Sequence, residues 1–379
     1  MNIIRGPLLY RRSNTDAIVW WESDSVVTYG HALEIQEPAS DPVIYSAKTS
    51  TVQTPNGKAS FHRVYLSSLE PDSLISARVV GPDFRASTPA TFRTFGDLSE
   101  IQLGVVSSAE GFFAITYPGL AYILDKIGSV DGYLSCGGLV GLSDKPDYTD
   151  WANWHDAVSP FVSFAPMLVA KASTDISSLS DIACPTSFPD KRYFAVSLGA
   201  ARVVVLDTTV GGRSSLDAAQ KAWAINEFNS NTWKSAKFRI IMMSDPPRVT
   251  LWDQTRSYGG GTGTDRFLYR NLLPLIQQSG ADFVMAGRCH SYQRGVMHST
   301  YPNHEGMTTH YAAIGGSSPA HQIAAWQWSS SEPPGILLSS SAYHYAKLAI
   351  RPTGMVVSVY DLATSAVIDE FSVEPHTLY

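Results

Sequence analysis

The hydrophobic and polar positions of residues 5–96 follow the pattern of short β-strands and show no helical period. Runs such as residues 17–21 and 61–66 are rich in β-branched and aromatic side chains, and turn residues separate them. Short strands at such spacing are typical of a small β-sandwich. We therefore predict a β-sandwich domain over residues 1–96, with one of Trp20 and Trp21 in the core and the other on the surface.

From residue 101 the pattern changes to buried strands that alternate with amphipathic helices. Strands are predicted at 101–106, 132–135, 166–170, 193–198, 202–207, 238–243 and 281–286. Helices are predicted at 113–127, 148–159, 215–229 and 267–280, and later strands at 311–314, 345–350, 355–360 and 367–371. This alternation is typical of an α/β core, here finished by antiparallel strands. We predict a second domain of α/β class over residues 97–379.

Composition excludes several classes of function. The 379 residues are 44% hydrophobic and 16% charged, and the net charge of −6 gives no reason to expect a nucleic-acid partner. No apolar run is long enough to span a bilayer. The first sixteen residues lack the order of a secretory signal, so we expect synthesis in the cytoplasm. Three cysteines, Cys136, Cys184 and Cys289, form neither a disulfide framework nor a zinc-site spacing.

Residues 283–295, FVMAGRCHSYQRG, carry the strongest motif in the chain. They read as a buried strand end, a tight corner at Ala286 and Gly287, and polar side chains at the carboxyl edge of the strand, where open α/β sheets place ligands. The stretch resembles the last signature of the calcineurin-like metallophosphoesterases, and most closely that of the purple acid phosphatases. That signature is Gly-His-x-His; here Arg288 replaces the first histidine and His290 keeps the second.

The resemblance covers nearly the whole chain and implies an architecture. A fibronectin type III-like β-sandwich would precede a metallophosphoesterase-type domain with α/β/β/α layers. The pieces that match the first domain are Val-Trp-Trp-Glu, Val-Thr-Tyr-Gly, a Leu-x-Pro turn and Thr-Phe-Arg-Thr. The family would hold two Fe, Zn or Mn ions, which polarise a phosphate and deliver hydroxide.

The resemblance also marks the positions where that family binds its metals or assists catalysis, and nearly all have lost the required side chain. These degenerate positions are Ser108, Gly138, Gly141, Ser173, Thr174, Ser244, Arg288 and the retained His290. One imidazole cannot hold such an ion against water, and Arg288 places a fixed positive charge where a cation would sit. We therefore expect no catalytic residue, no metal and no cofactor, which describes a pseudoenzyme.

The first functional hypothesis is a catalytically inactive structural or interaction module. Its partner would be another protein or a second copy, with neither nucleic acid nor membrane insertion involved. A subunit of a larger assembly would fit, for example a decoration, tail or fibre component of a virion. In this reading His290 is a structural histidine, and Arg288 pairs with Asp175, Asp207 or Asp245 because a buried charge needs a partner.

Two alternatives stay open. A metal-dependent phosphoesterase with a non-standard site would use His290, Asp175, Asp245 and Glu110 as ligands. An anion-binding module that does not hydrolyse phosphate would use Arg288, His290 and Arg294, since guanidinium groups bind phosphate and carboxylate well.

Overall fold

The protein is described from a computed structural model. The described residues are 2–24, 26, 29–83, 86–97, 100–108, 113–140, 145–162, 165–186, 191–209, 216–246, 272–299, 304–316 and 336–376. Their strands form four sheets, two in the first ninety-three residues and two in the remainder.

The first eight strands build two four-stranded antiparallel sheets. Their bounds are β1 Ile3–Arg12, β2 Ala17–Ser23, β3 Ala32–Gln36, β4 Val43–Ser46, β5 Lys48–Thr54, β6 Gly57–Leu66, β7 Leu74–Val80 and β8 Ala90–Arg93. The sheet orders are β1-β2-β6-β5 and β4-β3-β7-β8. Leu33, Ile75 and Val79 of the second sheet pack against Val19 and Trp21 of the first. The predicted β-rich segment is thus a β-sandwich, and its boundary at residue 96 stays a prediction.

The later strands form a six-stranded and a seven-stranded sheet. Their bounds are β9 Ile101–Val105, β10 Gly132–Ser135, β11 Met167–Val169, β12 Phe194–Leu198, β13 Ala201–Leu206, β14 Phe238–Met243, β15 Phe283–Ala286, β16 Tyr292–His298, β17 Thr308–Ile314, β18 Ile336–Ser340, β19 His344–Arg351, β20 Gly354–Asp361 and β21 Val367–Val373. The orders are β11-β10-β9-β19-β20-β21 and β12-β13-β14-β15-β17-β16-β18. A shared hydrophobic core joins the two sheets, with Leu103 and Val357 on one side and Ile240 and Met285 on the other.

The described helices lie outside these two sheets. Their bounds are α1 Phe113–Ile127, α2 Tyr148–Val162, α3 Ser180–Ala183, α4 Ala218–Phe228, α5 Asn231–Ser235 and α6 Leu273–Ser279. The first three share a core with the six-stranded sheet and the last three share a core with the seven-stranded sheet. No helix in these ranges is both long and apolar enough to cross a membrane.

The predicted fold class is wrong. The prediction was an α/β protein whose second domain has metallophosphoesterase-type α/β/β/α layers, whereas strands make up 44% and helices 19% of the structure. Strands follow one another without an intervening helix at two places in the described residues, and consecutive strands were predicted at both. β12 and β13 form an antiparallel hairpin, and β15 is followed in the described residues only by strands. Short helices and added antiparallel strands make the protein predominantly β.

The β-sandwich is joined to α2 by a dense aromatic cluster. The ring of Trp20 stacks on that of His155, with 4.2 Å between centroids, and its indole N–H donates to the Ile182 carbonyl at 2.9 Å. Tyr10 lies 2.5 Å from Nε2 of the same histidine. Trp21, on the opposite face of β2, is equally buried within the sandwich. The prediction that one tryptophan is on the surface is therefore wrong, because β2 is covered on both faces.

An ion-pair network ties the same two parts together. Arg5 donates to both oxygens of Asp156 at 2.6 and 3.0 Å and to the fully buried Glu22 at 2.7 Å. The hydroxyl of Tyr148, at the start of α2, donates to Glu22 at 2.6 Å. Glu22 is buried with two strong donors, which is the condition under which a buried carboxylate is tolerated. The bidentate contact of the guanidinium with Asp156 joins β1 to α2.

Three buried histidines are held in their neutral form. Burial lowers the pKa of His155 to about 3, that of His62 to about 3 and that of His344 to about 4. His62 also faces His31, whose positive form would repel a second charge. His344 accepts from the Gly316 N–H and donates from Nδ1 to the Ala342 carbonyl, so both ring nitrogens are used without a second proton.

We predict that stability falls as the pH drops from about 6.5 to 4. The folded-state pKa values lie below the unfolded value of 6.5, so the unfolded chain binds protons first. The stabilisation is complete above pH 6.5 and is lost as the pH falls toward the folded pKa values. Carboxylates such as Asp181, with a pKa lowered to about 2 by Lys171 and Arg192 against the effect of burial, add their loss only below about pH 5.

The measurement is the free energy of unfolding in urea at pH 7.0, 6.0 and 5.0. His344→Gln, which keeps a neutral side chain with a donor and an acceptor, should flatten the dependence on pH. A constant free energy between pH 7.0 and 5.0 would contradict the neutral-histidine account.

Candidate functional site

Four of the predicted site positions follow the carboxyl ends of strands, Ser108 after β9, Gly138 after β10, Ser244 after β14 and Arg288 after β15. Asp175 is the last residue of a 3-10 turn after β11, and its carboxylate is completely buried. Its Oδ1 accepts from the backbone N–H groups of Leu139 at 2.7 Å and Val140 at 3.3 Å. Its Oδ2 accepts from Gly138 at 3.0 Å and Ala172 at 2.8 Å. Four backbone donors from two separate loops thus converge on one side chain.

Gly138 acts as a hydrogen-bond donor in this arrangement, which is the opposite of a metal ligand's role. The resemblance places a metal-bridging carboxylate there, whereas Gly138 contributes an N–H group to a carboxylate from another loop. Burial raises the pKa of Asp175 above its usual value, and the four backbone hydrogen bonds act in the opposite direction. Oxygen lone pairs that would coordinate a cation are already taken up by the chain's own donors.

A second contact crosses from the six-stranded to the seven-stranded sheet. The Arg288 N–H donates to Oγ of Ser108 at 2.9 Å, and the Ser108 N–H donates to the Gly137 carbonyl at 2.8 Å. Ser108, Arg288 and His290 all have a positive φ, of 55°, 58° and 50°. Such a backbone is costly for residues with a Cβ and persists only where the surroundings enforce it.

The corner at Gly287 leaves no room between the two sheets. A Cβ at Gly287 would lie 2.6 Å from the Cys136 carbonyl oxygen and 3.2 Å from Cβ of Ser107. Its N–H donates to the Ser244 carbonyl at 3.0 Å. The glycine is therefore required by close backbone approach.

Arg288 forms an ion pair with Asp245, one of its three predicted partners. Oδ1 of Asp245 receives the guanidinium, and Oδ2 accepts from the Thr208 hydroxyl at 2.6 Å. Asp245 is 1% exposed. A buried carboxylate with one cation and one hydroxyl donor is neutralised within the fold. Asp207, another predicted partner, instead accepts from the Thr209 N–H at 2.8 Å and so shapes its own loop.

The remaining predicted ligand positions differ in how far their side chains are exposed to solvent. Ser173 is exposed and Thr174 is half-buried, both in the 3-10 turn. Ser244 is fully buried after β14, and His290 is half-buried after β15. Gly141 and Glu110 lie outside the described residues. Within the described ranges, no three His, Cys, Asp or Glu residues come together in a way that could hold a metal ion.

Arg294 is directed away from the corner. Its guanidinium donates to Asp369 of β21 at 2.5 Å and covers the Phe371 ring at 4.8 Å. The Tyr292 hydroxyl donates to the same carboxylate at 2.6 Å. Arg294 therefore joins β16 to the edge of the other sheet, and the structure does not bring it together with Arg288 and His290 as an anion site would require.

Sequence reasoning missed the role of Asp175 as the acceptor of a backbone loop. Local signals identify Asp as a residue that bonds nearby backbone groups, and the Ala172 bond follows that rule. The donors at residues 138–140 are separated from Asp175 by thirty-five or more positions, so no local pattern links them.

The comparisons with known proteins show the fold alone. No family model matches the chain, and no curated protein matches it. Among solved structures, it is similar to "GAP50 the anchor in the inner membrane complex of Plasmodium", at 14% sequence identity and a TM-score of 0.52. That match covers 73% of this chain and 89% of the other. A sensor domain of the anti-sigma factor RsgI4 from Pseudobacteroides cellulosolvens matches 25% of this chain and 93% of that chain, at 16% identity and a TM-score of 0.19, too low to support an argument.

These findings correct the description of the chain as metallophosphoesterase-like. The part of the chain that the structure describes is β-rich and is without the features expected of that class. The predicted kinship with purple acid phosphatases receives no support from them.

We predict that Asp175→Ala destabilises the protein by about 3 kcal/mol or more, because each buried N–H left without an acceptor costs about 1–3 kcal/mol. The measurement is urea unfolding monitored by tryptophan fluorescence. Asp125→Ala, at an exposed position of α1, is the matched control and should change the free energy of unfolding by less than about 0.5 kcal/mol. Equal, small effects of the two substitutions would show that the carboxylate does not support the loop.

Proposed function

We propose that the chain is a non-catalytic structural or interaction module that works as a subunit of a larger assembly. The observation that carries this proposal is the saturation of Asp175 by four backbone N–H groups beside the positions that the resemblance marked as degenerate. An active site needs groups whose bonding capacity is kept for substrate or cofactor. At this corner the polar groups of Asp175 and Asp245 are already bonded to groups of the protein itself.

The solved structure with the greatest coverage named above supports the same direction. GAP50 is described as the anchor in the inner membrane complex, which is a structural role. At 14% identity the likeness concerns the fold, so the anchoring role enters here as part of the proposal. The more specific idea of a virion component rests on the sequence and stays a prediction.

The metal-dependent alternative would have to withdraw its ligands from existing bonds. Asp175 holds the residue 138–140 loop, and Asp245 neutralises Arg288. A cation drawing on both carboxylates would remove the acceptor of several backbone N–H groups and the Asp245 partner of Arg288, at a cost of several kcal/mol. The anion-binding alternative has a similar weakness, since Arg288 and Arg294 are already paired with carboxylates.

We expect no turnover and far less than one equivalent of metal when the protein is purified without chelator. Elemental mass spectrometry for Fe, Zn and Mn and hydrolysis of an aryl phosphate would be measured on the same sample. Near-stoichiometric metal with turnover would contradict the proposal. A shift of the unfolding temperature by inorganic phosphate that disappears in Arg288→Ala would instead favour the anion-binding module, because a ligand of the native state must stabilise it.

A further inference from the structure

Among the described residues, strand β4 lies at the unpaired edge of its sheet and carries apolar side chains. It is the terminal strand in the order β4-β3-β7-β8, and its sequence Val-Ile-Tyr-Ser carries no charge. Val43 is 50% and Ile44 is 64% exposed. An uncharged, exposed edge strand is a template for pairing with another strand.

The direction of the backbone groups along β4 follows from its pairing with β3. Val43 pairs with Ile35, and Tyr45 pairs with Leu33. The Ala47 N–H, two residues further, donates to the His31 carbonyl at 2.9 Å. Because hydrogen-bonded positions alternate along an antiparallel strand, residues 43, 45 and 47 bond to β3. Ile44 and Ser46 consequently direct their N–H and C=O groups to the open edge.

We infer that a second copy of this chain docks on β4, antiparallel and related by a two-fold axis at Ile44. In this register Ile44 lies opposite the partner's Ile44, and Val43 lies opposite the partner's Tyr45. Ile44 exchanges two backbone hydrogen bonds with its mate. The Ser46 N–H donates to the partner's Pro42 carbonyl, and symmetry repeats that bond. Two-fold pairing of one strand with itself is an isologous contact, the commonest in soluble oligomers.

Charge placement around the strand fits a second copy in this orientation. Asp41 precedes the strand and Lys48 follows it, and both are exposed. Antiparallel pairing brings the acidic end of each copy beside the basic end of the other. This local complementarity offsets the repulsion expected between two chains of net charge −6. A partner with parallel strands would set like charges together.

The contact is small, so the dimer is weak and depends on concentration. Pro42 lacks an amide hydrogen and limits the ladder to four backbone bonds. The exposed Ile44 pair supplies apolar burial on the outer face of the sheet, beside the Glu34–Arg78 ion pair. The docking of a second copy on β4 rests on the proposed function as an interaction module, and it would be one contact through which the module assembles.

Sedimentation velocity over a range of protein concentrations tests the pairing. We expect a dimer to appear by on the order of 100 µM and the dissociation constant to rise at least tenfold in Ile44→Asp, which sets two carboxylates opposite each other. Leu74→Asp, at a 50% exposed position in the same sheet, is the matched control and should leave the dissociation constant unchanged. A monomer at all concentrations, or equal effects of both variants, would overturn the inference.

A cross-linking variant keeps the test informative if Ile44→Asp disturbs folding. Facing Cα atoms of a hydrogen-bonded pair lie about 5.5 Å apart, within the range for a disulfide. The three native cysteines are buried. With oxidised glutathione, Ile44→Cys should form a linked dimer and Leu74→Cys should not. Absence of the Ile44→Cys dimer would overturn the surface alone, since metal content and turnover test the non-catalytic role independently.

Discussion

The buried carboxylate of Asp175 is the interaction on which the corner between the two larger sheets depends. Removing a carboxylate from water is costly, and several hydrogen bonds to the charged form are what make it tolerable. Here backbone donors from residues 138–140 and 172 provide those bonds. These bonds hold the loop after β10, whose Gly137 carbonyl accepts from the Ser108 N–H. The hydroxyl of Ser108 in turn accepts from the Arg288 N–H. One acidic side chain thus organises a site that, in a metalloenzyme, metal ions would organise.

Buried polar groups are also satisfied by internal hydrogen bonds at the contact between the β-sandwich and α2. Arg5 and Tyr148 satisfy the buried Glu22, and His155 is neutral between Trp20 and Tyr10. These groups join parts of the chain separated by more than a hundred positions. Their hydrogen bonds and ring contacts therefore hold the sandwich against α2.

Sequence patterns predicted elements well where burial repeats regularly. The predicted strand at 281–286 appears as β15, and the predicted helix at 148–159 appears as α2, extended to Val162. The strands predicted after residue 310 appear as β17, β19, β20 and β21. The overall class was wrong because β16 and β18 were not predicted and the described helices are few and short. The burial of Trp21 was missed because the two-residue alternation of a strand shows which side chains share a face of the sheet. It does not show whether that face is covered. The bonds of Asp175 were missed because they join residues distant in the chain.

The most direct test of the account is the response of the unfolding temperature to metal. The protein would be heated after treatment with a chelator and again with excess Zn²⁺, Mn²⁺ or Fe³⁺ added, with loss of tryptophan packing as the readout. If the chain's own donors occupy the carboxylates at the corner, the unfolding temperature stays the same in all samples, because nothing in the native state binds the ion. A rise that saturates with metal concentration, and that is lost in Asp245→Asn, would show that the carboxylates still serve as ligands.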